Sequence, residues 1–201
     1  MNTAAMIAAF ADGAREGGAE VSVFRLYDID YKGCYACMAC KLKGSKFKDV
    51  CAYKDGLTDV LRATAYADGV AFASPVYYGR VTGQMESFVE RLTFPWLSYN
   101  DYSMHPPKHI PAAVIYTMND HNDNQRSLKS FEMMLGGFYG QLPDRIAAHN
   151  TCQVKDYDRY DMASFPKEEK AAWRTEHWDN DLHNAHEAGC RMASQQSGSR
   201  Q

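Results

Sequence analysis

The sequence predicts an α/β fold whose parallel sheet is covered on both faces. Short apolar runs at 69–73 (GVAFA) and 111–117 (PAAVIYT) leave no polar face, as strands buried on two sides require. Stretches of helical periodicity alternate with them, and 201 residues suffice for one sizeable core. A hydrophobic share of 45% with 23% charged residues is ordinary for a globular chain.

Residues 3–16 put Met6, Ile7, Phe10 and Ala14 on one helical face, with Asn2 or Thr3 as the cap and Gly17-Gly18 as the stop. Val21 to Leu26, VSVFRL, is expected as a strand. The irregular segment from Tyr27 to Lys54 follows and holds four of the 6 cysteines, and a loop of that length usually holds something. Asp55 is expected to cap a helix to about Tyr66, with Leu57, Val60, Leu61 and Thr64 inward. The 69–73 strand runs into Ser74-Pro75-Val76-Tyr77-Tyr78-Gly79, and Thr82 or Gly83 starts a helix that buries Met85, Phe88, Val89 and Leu92. The 111–117 strand ends in the polar loop 118–122, and a helix near 125–136 and a strand near 145–152 complete the alternation. The last helix is expected from about Lys167 to Met192, with Trp178, Leu182, Ala185, Gly189 and Met192 as its buried stripe. One domain is expected over 1–194, with 195–201 as a frayed tail.

This order begins with a helix. In a sheet of spatial order 2-1-3-4-5, the strand that normally precedes it lies between those expected at 21–26 and 69–73. Its absence leaves edges unpaired, so the polypeptide is expected to start upstream, or another segment to fill the gap. A swapped element from a neighbouring subunit is one such segment.

A formal charge of -3 predicts no strong attraction to nucleic acid. No apolar run is long enough to cross a bilayer, and the N-terminal stretch lacks a basic leader and is interrupted by Asp12, Arg15 and Glu16. A cytoplasmic protein is expected, with cysteines read as thiols or metal ligands rather than disulfides.

Cys34, Cys37 and Cys40 have C-x2-C-x2-C spacing, and Cys51 follows after ten residues. Four thiolates suit a [4Fe–4S] cluster, with Lys41, Lys43, Lys46 and Lys48 available to offset its charge. The spacing equally admits a redox-labile thiol group or a tetrahedral zinc site. Cys152 and Cys190 read as small hydrophobes, and His183, His186 and Cys190 as a partly shared face of solvated side chains. Ser74 to Gly79 lies at a strand's carboxyl end, where open α/β sheets bind ligands. The pattern alone leaves open a flat-ring site or a Pro-Gly turn with tyrosines packed on it.

Asn2-Thr3, CYACMAC at 34–40, Cys51 before Lys54-Asp55, SPVYYG at 74–79, GQMESFVERL at 83–92 and DYDRY at 156–160 stand in a specific order. In this order the chain resembles the flavodoxin-like NAD(P)H-dependent FMN oxidoreductases, including the iron–sulfur flavoproteins. The resemblance implies a flavodoxin-like three-layer sandwich without its usual first strand. It assigns FMN to Asn2, Thr3, Ser74, Pro75, Val76, Tyr77, Tyr78, Gly79, Thr117, Met118 and Asn119, and a possible [4Fe–4S] cluster to Cys34, Cys37, Cys40 and Cys51. Val76 and Tyr77 are expected to offer N–H groups, and Tyr78 to lie near the ring. The phosphate turn that precedes Asn2-Thr3 in such proteins is missing here, and the gap before Cys51 is longer than in iron–sulfur flavoproteins. The implied reaction carries hydride from NADH or NADPH to flavin and then to a quinone, a flavin or a similar small acceptor. No protein nucleophile or general base is required. The alternatives are an iron–sulfur flavoprotein electron carrier served by a ferredoxin-like partner, or a truncated non-catalytic relative. A homo-oligomer is expected, with Tyr99 and Tyr102 beside Trp96 as a lid or subunit contact.

Overall fold

The structure, a computed structural model, describes residues 2–121 and 126–197. Three parallel strands, β1 (Val70–Pro75), β2 (Ala112–Thr117) and β3 (Asp144–Ala148), lie side by side in that order. Val70 pairs with Ala112 and Pro75 with Thr117, while Ala113 pairs with Asp144 and Thr117 with Ala148. Successive residues of a strand face opposite layers. Val114 and Tyr116 therefore join one core with Phe72, and Ala113 and Ile115 join another with Ile146 and Ala148. Every residue of β2 is buried, as its unbroken apolar run requires.

The first core is closed by α2 (Thr58–Ala65), α3 (Gly83–Thr93) and α4 (Arg126–Tyr139). The Thr82 side chain caps α3 by accepting from the Met85 N–H at 3.3 Å, and Met85, Phe88, Val89 and Leu92 face inward. The Asp55 carboxylate accepts from the Leu57 N–H at 3.0 Å, and α2 begins at Thr58, later than its sequence suggests. The second core is closed by α1 (Asn2–Glu16) and α5 (Lys167–Ser197), through Met6, Phe10, Ala185 and Ala188. The two helices touch backbone to backbone: a Cβ on Gly13 would sit 2.0 Å from the His186 carbonyl oxygen, and one on Gly189 2.0 Å from that of Phe10. The expected helix near 125–136 appears as α4, Arg126–Tyr139, with residue 125 outside the described residues. In the expected tail, helix α5 continues to Ser197, and 198–201 lie outside the described residues.

The expected strand at 21–26 does not form. Those residues make no strand pairing, and Val23 and Phe24 are 53% and 45% exposed. A β-former run becomes a strand only when a neighbour accepts its ladder, and in the 2-1-3-4-5 order that neighbour is the first strand. Among the described residues β1 is an edge of the sheet. The Val70 and Val76 N–H groups bond to Pro111 and Thr117 carbonyls of the β2 side, so the alternate amides of Ala71 and Ala73 face away from it. The expected strand near 145–152 stops at Ala148, because Asn150 adopts a left-handed backbone (φ 45°). Cys152 thus lies in a loop beyond β3.

Candidate functional site

Strands β1 and β2 end side by side at Pro75 and Thr117. A cavity of about 510 Å³ opens beyond them, walled by Val76, Tyr78 and Gly79 on one side and Met118 to His121 on another, with Asn150 and the start of α5 behind. Tyr77 and Arg80 exchange both backbone hydrogen bonds, at 2.9 and 3.0 Å. Tyr78 (φ 52°) and Gly79 (φ 74°) form the left-handed centre of that tight turn. The Tyr78 ring projects fully into solvent at the cavity mouth.

Two expected contacts are corrected by this geometry. The Val76 N–H donates to the Thr117 carbonyl at 2.9 Å and the Tyr77 N–H to Arg80, so neither is free for a ligand. The N–H groups of Tyr78 and Gly79 have no acceptor among the described residues. Ser74, 2% exposed, closes the loop from within: its hydroxyl accepts from the Thr82 N–H at 3.0 Å and donates to the Pro75 carbonyl at 2.8 Å.

Asn2 and Thr3 do not line the cavity but bring the N-terminus of α1 to the same sheet edge. The hydroxyls of Thr3 and Thr117 lie 2.6 Å apart, and Asn2 donates to the Cys152 carbonyl at 2.6 Å. Met118 is buried: its N–H donates to Ala148 and its carbonyl accepts from Thr151. Asn119 turns both of its oxygens to Lys170, with the backbone carbonyl 3.2 Å from the ammonium.

Lys170 and Asn150 carry no motif and were missed by the sequence reading. Lys170 is 3% exposed and donates to the Asn119 carbonyl, the Asn119 side chain and the Asn150 Oδ1. Burial pushes its pKa below the ordinary lysine value. Asn150 is 1% exposed, and its Nδ2 is buried without a hydrogen-bond partner. A lysine in the first turn of a helix opposes the helix dipole, and that mismatch is the one trace in the sequence.

The cysteine loop lies on the other core's flank. Cys34 and Cys37 are exposed, Cys40 is buried and Cys51 half-buried, with left-handed backbone at Ala36 (φ 57°) and Met38 (φ 59°). Burial raises the Cys40 thiol pKa. Among the described residues no three of these four sulfurs come within 4.8 Å of one another. Both ends of the loop are pinned to Arg91, which is 1% exposed. Its guanidinium donates to Lys32 O (3.1 Å), Tyr53 O (2.7 Å) and the Asp55 carboxylate (2.5 Å). The Lys41 ammonium holds the middle through the Phe94 and Leu97 carbonyls and lies 4.5 Å from the Phe94 ring centroid.

The α1–α5 crossing brings Glu16, rather than His183, to His186 and Cys190. One ligand atom of each lies within 4.8 Å of the others, and His183 is exposed. The Cys190 thiol donates to the Gly13 carbonyl at 3.2 Å. Trp96 is a core residue whose indole donates to Asp49 O at 2.8 Å, whereas Tyr99 and Tyr102 are 53% and 75% exposed. Among the described residues no helix is long and apolar enough to cross a membrane.

A parallel sheet between helical layers, with a cavity at its carboxyl edge, defines a flavodoxin-like α/β protein. Residues 1–145 match the NADPH-dependent FMN reductase family, and the chain belongs to that family of FMN-binding oxidoreductases and iron–sulfur flavoproteins. An iron–sulfur flavoprotein of Archaeoglobus fulgidus is 32% identical over 90 residues, covering 45% of this chain and 42% of the relative. One from Methanocaldococcus jannaschii is 36% identical over 77 residues, covering 38% and 37%. The chain thus spans less than half the length of these curated relatives. The fold is also that of a Methanothermobacter marburgensis NAD(P)H:quinone oxidoreductase (TM-score 0.64, 14% identity, 94% of this chain and 91% of that one). An FMN-dependent NADH-azoreductase from Bacillus anthracis, solved in complex with FMN, gives a TM-score of 0.62 at 15% identity over 96% and 92% of the two chains.

Proposed function

We propose that this protein is an electron-transfer flavoprotein of the iron–sulfur flavoprotein kind, with FMN in the cavity at the ends of β1 and β2. The observation that carries the reading is the cavity at the carboxyl ends of β1 and β2, where the Tyr78 and Gly79 N–H groups have no acceptor among the described residues and Lys170 stands in the wall. Val76, Tyr78, Gly79, Met118, Asn119, Asn150 and Lys170 would hold the ring. The Tyr78 side chain offers a flat face, and the adjacent free N–H groups offer donors to its polar edge. Thr3 and the N-terminus of α1 would take the phosphate, as helix starts favour anions. Bound FMN supplies reversible one- and two-electron chemistry.

Cys34, Cys37, Cys40 and Cys51 would hold a [4Fe–4S] cluster, which supplies single-electron exchange with a ferredoxin-like protein. The donor set is four thiols on one loop, and Arg91 and Lys41 fix that loop while leaving Cys34 and Cys37 accessible. The iron–sulfur flavoprotein relatives support this reading. The second reading is an NAD(P)H-driven reductase of a quinone, flavin or other small acceptor; the family match and the open cavity mouth favour it. Both readings keep the expected homo-oligomer and a cytoplasmic setting.

Anaerobic purification with iron and sulfide present, followed by a spectrum and assays of FMN, iron and sulfide, tests the reading. Bound FMN with about four irons per chain is expected, with FMN weakened by Tyr78→Ala and iron lost in Cys37→Ser. FMN without iron, bleached by NAD(P)H, favours the reductase. Neither group bound overturns both readings.

A further inference from the structure

We infer that Lys170 makes the cavity hold reduced FMN more tightly than oxidised FMN, because among the described residues its buried ammonium is paired with no carboxylate and the reduced ring is an anion. The inference rests on the cavity being the flavin site.

Among the described residues no carboxylate lies within 4.0 Å of the ammonium, whose three protons go to neutral oxygens of Asn119 and Asn150. The neighbouring Glu169 turns to His121, 3.0 Å away, is about half exposed, and acts on the ammonium through space without a hydrogen bond. Asp120, also on the cavity wall, is exposed to water. The hydrogen bonds satisfy the ammonium's protons but leave its charge. In a poorly hydrated wall that charge acts on the cavity with little screening. An entering neutral ring gains little from it; an entering anion gains a charge-assisted interaction.

Reduction of the flavin would supply that anion in either reading. Two electrons and one proton would convert FMN into FMNH−, whether delivered together as a hydride from NAD(P)H, which leaves as NAD(P)+, or as single electrons from a reduced cluster with a proton from solvent. The added negative charge is shared over N1 and the C2 carbonyl of the ring. Lys170 therefore stabilises the product of reduction over its precursor.

A purely structural Lys170, tying the Asn119 and Asn150 loops to α5, predicts a different result. Loss of loop geometry lowers the affinity for both redox forms together; loss of the charge lowers it for the reduced form alone.

The test titrates the anaerobic full chain with FMN before and after dithionite reduction, in the wild type, Lys170→Gln and Lys170→Arg. The wild type is expected to bind reduced FMN about tenfold more tightly than oxidised FMN, as a charge-assisted contact predicts. That ratio corresponds to a two-electron potential raised by about 30 mV. Lys170→Gln is expected to bring the ratio to about one, and Lys170→Arg to keep it. A wild type that binds oxidised FMN equally or better overturns the inference, whether or not the variants fold. So does an unchanged ratio in a folded Lys170→Gln. In those cases the cavity assignment stands, whereas a wild type that binds neither form overturns both.

Discussion

Arg91 and Lys170 are both buried cations, 1% and 3% exposed, yet their partners differ in kind. Arg91 faces the Asp55 carboxylate and two backbone carbonyls at the base of the cysteine loop. Among the described residues Lys170 hydrogen-bonds to neutral oxygens alone, beside a cavity. A neutralised cation fixes structure, because each of its partners loses if it leaves. One held by amides keeps its charge in reserve for whatever enters beside it. The largest predicted effect follows from the first arrangement. Arg91→Met removes the cation from the Asp55 carboxylate and strands the Lys32 and Tyr53 carbonyls, and urea unfolding is expected to report a loss of about 3–5 kcal/mol. Lys170→Gln also removes a desolvated charge, so its loss is expected to stay within about 1 kcal/mol. Equal losses at the two positions break the contrast.

Acid separates the two anchors next. Burial raises the Asp55 pKa, but hydrogen bonds from Arg91 and from the Leu57 and Lys32 N–H groups outweigh it, leaving the pKa below the ordinary carboxylate value. A carboxyl whose folded pKa lies below its unfolded one stabilises the fold above the unfolded value, about pH 4. That contribution disappears as pH falls through the folded value. Denaturation midpoints taken between about pH 5 and pH 3 should therefore fall more steeply in the wild type than in Asp55→Asn. Parallel slopes place the acid sensitivity elsewhere.

The same two regions divide what the sequence could and could not reveal. The cysteines announced themselves through C-x2-C-x2-C spacing, but no motif singles out Arg91 on its helix. It is buried because α3 lies across the loop that returns Tyr53 and Asp55 to it, a contact between residues 36 and 38 positions apart. Helix α3 itself was legible, since Met85, Phe88, Val89 and Leu92 keep helical spacing and Thr82 is a standard cap. The cavity's place after β1 was legible from Ser74 to Gly79, but its inward charge was not. Lys170 comes from the opposite end of the chain, and Asn150 depends on a left-handed turn that ends β3 early. The run at 21–26 shows the converse. Strand propensity was present, but among the described residues no strand pairs with the segment, and it lies outside the sheet.

The smallest effect concerns how the rim is joined to α1. Thr3 and Thr117 share one hydroxyl–hydroxyl hydrogen bond of 2.6 Å, with Thr117 buried and Thr3 half-buried. Thr117→Val keeps the shape and deletes the bond, leaving the Thr3 hydroxyl able to turn toward water. The expected cost is about 1 kcal/mol. Thr3→Val should cost a similar amount, and the double variant should lose less than the sum by about 0.5–1.5 kcal/mol, the worth of the shared bond. Additive losses by chemical denaturation would mean that each hydroxyl bonds independently. The N-terminus of α1 would then stand at the sheet edge through the Gly13–His186 and Phe10–Gly189 backbone contacts with α5 rather than through the rim. Non-additive losses tie the helix start directly to the end of β2, the position a phosphate at that rim requires.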